Sequence, residues 1–198
     1  HSLVFSSVSF VFFFLTAVIA LYFILPGRFR GGRNFVLLAF SLFFYACAGL
    51  RALPLLLFSV LLDWGSALLL PRCRRPKALL AAAVALHLGL LFWFKYAGFA
   101  AEIFGLPLPE ITLPIGISFF TFQGLSYVID VYRGDTPPNR SIAQVALYIS
   151  FFPQLIAGPI VRYTDVAEDM NARRESLDDA AEGAARFIFG LGKKCVLS

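Results

Sequence analysis

Long apolar runs are the feature that most limits what this chain can fold into. The first run, residues 8–25, contains no charged residue. As an α-helix it would extend about 27 Å, and the hydrocarbon core of a bilayer is about 30 Å thick. Four further runs have comparable lengths, although the last is less apolar, and glycine or proline separates several of them. We therefore expect transmembrane helices at 8–25, 34–50, 53–70, 78–99 and 113–131.

The composition excludes an ordinary water-soluble domain. Hydrophobic residues make up 59% of the chain and charged residues 15%, against roughly 45–50% and about 25% in globular proteins. The net charge of +5 is concentrated in short segments beside the apolar runs, where it orients membrane proteins. We expect the lipid bilayer as a partner and no nucleic acid. The three cysteines are widely spaced and contain no C-x-x-C pair, so we expect no metal site.

The distribution of basic residues predicts the orientation. If the N-terminus lies outside, the predicted inner loops carry nine Lys or Arg residues, and the outer segments carry only Arg51 and Lys95. This asymmetry follows the positive-inside rule. A cleaved signal peptide is the competing interpretation of 8–25, but no basic residue precedes that run and three arginines follow it. We therefore predict a multi-pass membrane protein with its N-terminus outside.

The sequence of segment 142–161 predicts a helix that is broken. It is long enough to cross the membrane, yet Pro153 and a Gly158-Pro159 pair interrupt it, and both leave backbone groups that lipid cannot satisfy. We expect a re-entrant segment, with a full crossing as the alternative. Residues 163–185 are rich in charge and predict helices on the cytoplasmic surface. The fold class is therefore an all-α polytopic transmembrane bundle with one broken helix, and residues 1–198 form a single membrane domain.

Two segments contain candidate binding residues. In the fifth run, Gln123, Tyr127 and Asp130 follow one another at i, i+4 and i+7, so they share one helical face. This face either lines a polar tunnel or bonds to neighbouring helices. Gln154 and Arg162 stand in and after the broken segment, where they are candidates for a pocket wall. Arg162 could contact a nucleotide phosphate or simply anchor the chain at the interface.

Two further polar residues lie inside apolar runs. Asp63 is expected to need a polar partner on another helix, and His87 is expected to have a structural role, as lone buried histidines usually do. No complete catalytic motif can be assembled from the chain. We therefore predict no catalytic residue in it.

Several short motifs resemble the membrane-bound O-acyltransferase family, in particular its bacterial alginate O-acetyltransferase branch. In chain order they are VFSSVSF (4–10), SLFFY (41–45), FKYAGF (94–99), LPIGISFFTFQ (113–123), IDVYRG (129–134), FFPQLIAGPIVR (151–162) and GLGKK (190–194). Each motif is weak alone, but their order and coverage of nearly the whole chain make the resemblance specific.

The resemblance implies a helical bundle around a tunnel in the bacterial inner membrane. An acyl group, expected to be acetyl, would pass from a cytoplasmic donor such as acetyl-CoA to hydroxyls of an exported polysaccharide, aided by an extracytoplasmic transfer protein. The family's essential histidine, in a Trp-His-Gly context, has no match here. We therefore expect this chain to be the N-terminal part of such an enzyme and to be inactive alone. A transporter or channel segment and a non-catalytic membrane scaffold are the alternatives.

Overall fold

A computed structural model describes residues 10–105, 113–155, 161–173 and 176–197, and the described chain contains helices and no strand. A π-helix at Phe10–Leu15 leads into the first α-helix. The α-helices are α1 Thr16–Ile24, α2 Arg30–Gly49, α3 Leu53–Leu69, α4 Pro76–Phe104, α5 Ile117–Arg133, α6 Ile142–Ser150, α7 Phe152–Leu155, α8 Tyr163–Ala172 and α9 Leu177–Leu197. Residues 4–9 of the first motif and the predicted Gly158-Pro159 break lie outside the described residues.

Among the residues that the structure describes, two segments are long and apolar enough to cross a membrane, namely Arg30–Arg72 and Pro76–Phe104, and Phe12–Ile24 is a shorter apolar helix. Much of the apolar surface of these helices faces outward: Phe92 of α4 is 55% exposed and Phe35 of α2 is 66% exposed. Lipid solvates such surfaces, whereas water-soluble monomers avoid large apolar patches. The prediction of an all-α membrane bundle is therefore confirmed.

The segment Arg30–Arg72 forms two helices that run in opposite directions. At Gly49 the backbone is extended, with φ 179° and ψ 91°, and a short 3₁₀ turn at Leu50–Ala52 follows. This turn shares one cavity with Phe94 and with Leu113 at the start of the α5 region. Leu70, at the far end of α3, shares another cavity with Val131, near the end of α5.

This arrangement separates the loops into two ends of the bundle. Arg51 lines the cavity at one end of the bundle. The cavity at the other end is lined by residues in or next to the basic loops 72–77 and 133–140. Two of the three loops predicted to lie inside are therefore close together. Their orientation in the bacterial membrane stays a prediction.

Helix α5 lies at the centre of the bundle, and most of its residues are buried. It packs against α3 and α4, and also contacts α6 and α8. A second core consists mainly of phenylalanines: the Phe14 ring lies 5.3 Å from that of Phe152 and 5.5 Å from that of Phe44. These contacts join the N-terminal helix to α2 and α7, so the helices around α5 hold one another in place.

Helix α5 begins later than the apolar run predicts. The run starts at residue 113, but Pro114 and Gly116 precede the first turn, and Gly116 has a left-handed φ of 76°. A Cβ at Gly116 would lie 2.9 Å from the carbonyl oxygen of Leu155. Glycine is therefore required here both by the backbone angle and by the close approach of the broken segment.

The break in segment 142–161 falls two residues before Pro153. Helix α6 ends at Ser150, Phe151 has a non-helical ψ of 112°, and Pro153 lies in the first turn of the short helix α7. Proline is tolerated in a first turn, whereas in a continuous helix its ring would clash with the carbonyl group four residues earlier. The helix therefore breaks upstream of the proline. A re-entrant path through the membrane stays a prediction.

Candidate functional site

The polar face predicted on α5 is buried inside the bundle. Gln123, Tyr127 and Asp130 are 6%, 0% and 4% exposed, respectively. In contrast, Phe119 and Phe122 of the same helix are exposed. The helix therefore turns its apolar side outward and its polar side toward its neighbours, as an intramembrane polar face requires.

Gln123 contacts two parts of the broken segment. Its side-chain amide donates to the carbonyl oxygen of Tyr148 at 3.4 Å and to Oε1 of Gln154 at 3.5 Å. The structure thus brings together two residues that the sequence placed in different candidate segments. Gln154 also lines a cavity of 210 Å³ between α2, α6 and α8, so the α5 polar face continues toward this cavity.

Tyr127 belongs to a cluster of three tyrosines, which also includes Tyr148 and Tyr163. The Tyr127 ring lies 4.7 Å from that of Tyr163 and 6.5 Å from that of Tyr148. The Tyr127 hydroxyl accepts a hydrogen bond of 2.8 Å from the backbone N–H of Asn139. The Asn139 side chain donates to the Tyr163 hydroxyl at 2.5 Å. One residue of the loop after α5 therefore connects α5 to α8.

The same cluster holds the chain that leads into α8. The Tyr148 hydroxyl donates to the carbonyl oxygen of Val161 at 2.8 Å and lies 3.2 Å from the hydroxyl of Ser126. No sequence pattern indicated Tyr148, Tyr163 or Asn139 as site residues. Their positions in short segments gave no periodic signal, and their roles arise from contacts between helices that are distant along the chain.

Asp130 and Arg162 lie in different environments. Asp130 is buried, and its Oδ2 atom has no hydrogen-bond partner among the described residues. Arg162 is exposed at the residue before α8. No ion pair joins the two side chains in the described part of the chain. A role for Arg162 in binding phosphate stays a prediction.

A buried aspartate–histidine pair connects α3 to α4. Nε2 of His87 lies 3.3 Å from Oδ1 of Asp63, and both side chains are fully buried. Nδ1 of His87 bonds to the carbonyl oxygen of Ala83 at 2.9 Å. Asp63 therefore has the partner on another helix that its position required. Because an unpaired charge is costly inside the bundle, we expect the pair to be neutral overall, as two opposite charges or as two uncharged groups.

Gly124 gives the Asp63 carboxylate its space. A Cβ at Gly124 would lie only 2.6 Å from Cγ of Asp63, and atoms in ordinary contact are 3.4–4 Å apart. Helix α5 can therefore approach α3 this closely only with glycine at this position.

Comparison with known proteins identifies relatives along almost the whole chain. It is 37% identical over 210 residues to a probable alginate O-acetylase of Azotobacter vinelandii, and this match covers 99% of the chain and 42% of that protein. The probable alginate O-acetylase of Pseudomonas aeruginosa is also 37% identical, with 99% and 40% covered. The peptidoglycan O-acetyltransferase of Helicobacter pylori is 31% identical over 236 residues, with 99% and 44% covered. No family model matches the chain, and no solved structure matches it.

These relatives place the chain among the membrane-bound O-acyltransferases, and the all-α membrane bundle with its buried polar face is consistent with that family. The predicted family is therefore confirmed. Within that family, the chain is similar to the alginate O-acetylases. It spans about two fifths of the length of the relatives named above.

Proposed function

We propose that this chain is the N-terminal part of an O-acyltransferase that acts on an exported polysaccharide. An acetyl group would pass from a cytoplasmic donor, such as acetyl-CoA, across the bacterial inner membrane to hydroxyls of the polysaccharide. The observation that supports this proposal is homology over 99% of the chain to proteins named as acetylating alginate or peptidoglycan. The same homology favours an enzyme over a transporter, a channel segment or a scaffold.

In this proposal the described helices supply the wall of the acyl-transfer path. Gln123, Tyr127 and Gln154 are uncharged groups that can donate and accept hydrogen bonds. Such groups suit the passage of a neutral acetyl thioester or ester, because they can donate a hydrogen bond to its carbonyl oxygen without the free-energy cost of burying a charge. We expect the reacting histidine to belong to a part of the enzyme outside this chain, so that residues 1–198 alone would be inactive.

The topology supports donor entry from the cytoplasm. Two of the basic loops, 72–77 and 133–140, lie together at one end of the bundle, which the positive-inside rule places in the cytoplasm. The turn near Arg51 would then face outward, with the N-terminus. We expect an extracytoplasmic protein to take part in the final transfer to the polysaccharide.

Complementation would test this function. The full-length protein would be expressed in an alginate-producing bacterium that lacks its own alginate O-acetylase, and the acetyl content of the secreted polymer would be measured by proton NMR. We expect acetylation to be restored by the full-length protein and not by residues 1–198. If membrane insertion is verified and the polymer remains unacetylated, alginate is not the acceptor. The assay would then be repeated with peptidoglycan, and failure on both polymers would contradict the proposal.

A single substitution tests the role of the α5 face. Gln123→Leu removes the amide that contacts the Tyr148 carbonyl oxygen and Gln154, and we expect acetylation to fall at least tenfold, since the path would lose a buried hydrogen-bonding group. Phe122→Leu is the matched control, because Phe122 is the neighbouring residue and is 42% exposed. Equal acetylation by both variants, at equal protein levels, would show that Gln123 does not line the path.

A further inference from the structure

A cavity of 520 Å³ lies at the end of the bundle where loops 72–77 and 133–140 meet. Its described lining residues are Leu70, Pro71, Pro76, Val131, Tyr132, Gly134, Thr136, Pro137 and Pro138. Among these described residues there is none that was assigned above to the acyl-transfer path. Pockets that bind small molecules measure about 300–1,000 Å³ and combine an apolar wall with a few polar groups, and this cavity meets both criteria.

Tyr132 and Thr136 give the cavity wall an aromatic ring and a hydroxyl. The Tyr132 ring is partly exposed and pairs with no other aromatic ring among the residues that the structure describes. Thr136 is 8% exposed, and its hydroxyl donates a long hydrogen bond of 3.5 Å to the carbonyl oxygen of the adjacent Pro137, so its oxygen can still accept one. This wall fits the flat ring of a nucleobase, because bases stack on aromatic side chains.

Basic side chains adjoin the lining residues on one side of the cavity. Arg75 and Lys77 flank the lining residue Pro76, and both are exposed. Loop 72–77 contains no acidic residue, and within the described part of the chain its basic side chains make no hydrogen bond or ion pair. Helix α4 also begins at Pro76, so the positive end of its dipole adds to the potential. These cations are therefore available to an anion from solution.

The loop on the other side of the cavity is less basic. Arg133 lies between two lining residues, but Asp135 follows in the same loop, and the buried Asp130 interacts electrostatically with Arg133. No described residue of the acidic helix α8 lines the cavity. The two loops together carry six basic residues and one acidic residue, so the mouth of the cavity is positive overall. We therefore assign anion binding to loop 72–77.

We propose that this cavity binds a nucleoside polyphosphate. The base would stack on Tyr132 within the apolar wall, and the phosphates would bind Arg75 and Lys77 at the mouth. Charged hydrogen bonds from arginine and lysine to phosphate are strong, and the positive-inside rule assigns this end of the bundle to the cytoplasm, where nucleotides are found. Free nucleotides and coenzyme A both present this chemistry, and the binding assay separates them. The inference rests on the cavity and its charges, so an acetylation assay that fails would leave it intact.

Isothermal titration calorimetry of the full-length protein in detergent tests the class of ligand. The titrants are ADP, pyrophosphate and coenzyme A, each in phosphate-free buffer. We expect ADP to bind at least about fivefold more tightly than pyrophosphate, because only ADP supplies a base that can stack. Tighter binding of coenzyme A than of ADP would assign the site to an acyl donor, and the reverse would assign it to a free nucleotide; both results support the proposal. Equal binding of ADP and pyrophosphate, or binding of none of the three, would overturn it.

Substitutions in the cavity test the assigned residues. Tyr132→Leu should weaken ADP binding at least about fivefold, and Tyr132→Phe, which keeps the ring, should bind ADP as wild type does. Arg75→Gln should weaken binding about fivefold, because it removes a charged contact to phosphate. Arg51→Gln is the matched control, since it removes an exposed arginine at the opposite end of the bundle. Wild-type affinity in Tyr132→Leu or in Arg75→Gln, or an equal loss in the control, would overturn the proposal.

Photolabelling of the unmodified protein locates the ligand, so the conclusion does not depend on a variant that folds. An ADP derivative with an azido group on its base should label peptides that span residues 70–77 or 131–138, and excess ADP should prevent this labelling. Labelling confined to other segments would overturn the proposal.

Discussion

Gly124→Ala tests the close packing of α5 on the Asp63–His87 pair. The added Cβ would lie 2.6 Å from Cγ of Asp63, and ordinary contact begins near 3.4 Å. The atom nearest to the added Cβ is Oδ2 of Asp63, so either α3 and α5 must separate by more than an ångström, or the carboxylate must turn away from His87. Overpacking of this kind typically costs about 1–3 kcal/mol, and breaking a buried charge pair costs about 3–5 kcal/mol.

The helix propensity of alanine offsets only part of this cost. Replacing glycine in a helix interior gains about 1 kcal/mol, so we expect a net loss of about 2 kcal/mol, which is the upper end for overpacking and the lower end for loss of the pair. For a chain of this size such a loss lowers Tm by roughly 4–8 °C, which thermal unfolding of the purified protein in detergent would measure. Gly65→Ala on α3 is the control, since a Cβ there meets no atom within 4 Å. It should leave Tm unchanged or raise it.

A double substitution identifies the cause of the loss. Asp63→Ala removes the carboxylate that the new Cβ would meet, so Gly124→Ala should cost much less in that background than in wild type, and the two changes should be strongly non-additive. If Gly124→Ala unfolds at the wild-type temperature, or if its cost is the same with and without the Asp63 carboxylate, the inferred contact is wrong.

Two further predictions concern the buried pair and the start of α9. His87→Ala should destabilise the protein by about 3–5 kcal/mol in thermal unfolding, because it leaves Asp63 unpaired in the bundle. The double variant with Asp63→Ala should lose less stability. Leu86→Ala is the control, because Leu86 is 51% exposed. Hydrogen bonds from Ser176 lower the pKa of Asp179 below 3.8, so the stability that this cap contributes is present above pH 3.8 and is lost as the pH falls through the lowered pKa. Ser176→Ala should raise the pKa of Asp179 toward 3.8 in a carbon-13 carboxyl NMR titration, and an unchanged pKa would contradict the capping contact.

The sequence by itself was sufficient for the class of the protein and the burial of the α5 polar face. Apolar runs long enough to span hydrocarbon leave few alternatives to a helical bundle, because lipid cannot bond to exposed backbone groups. The spacing of Gln123, Tyr127 and Asp130 placed them on one face, since helical periodicity is a local property. The ordered motifs carried the family resemblance for the same reason: they can be recognised without knowing which helices touch.

Tertiary structure alone decided which polar groups meet. The Asp63–His87 pair, the need for glycine at position 124 and the bond between Gln123 and Gln154 all depend on the rotation and separation of helices distant along the chain. No local pattern encodes those two quantities, because they result from the packing of all neighbouring side chains at once. The same holds for the cavity beside Arg173, which exists only where α2, α6 and α8 converge.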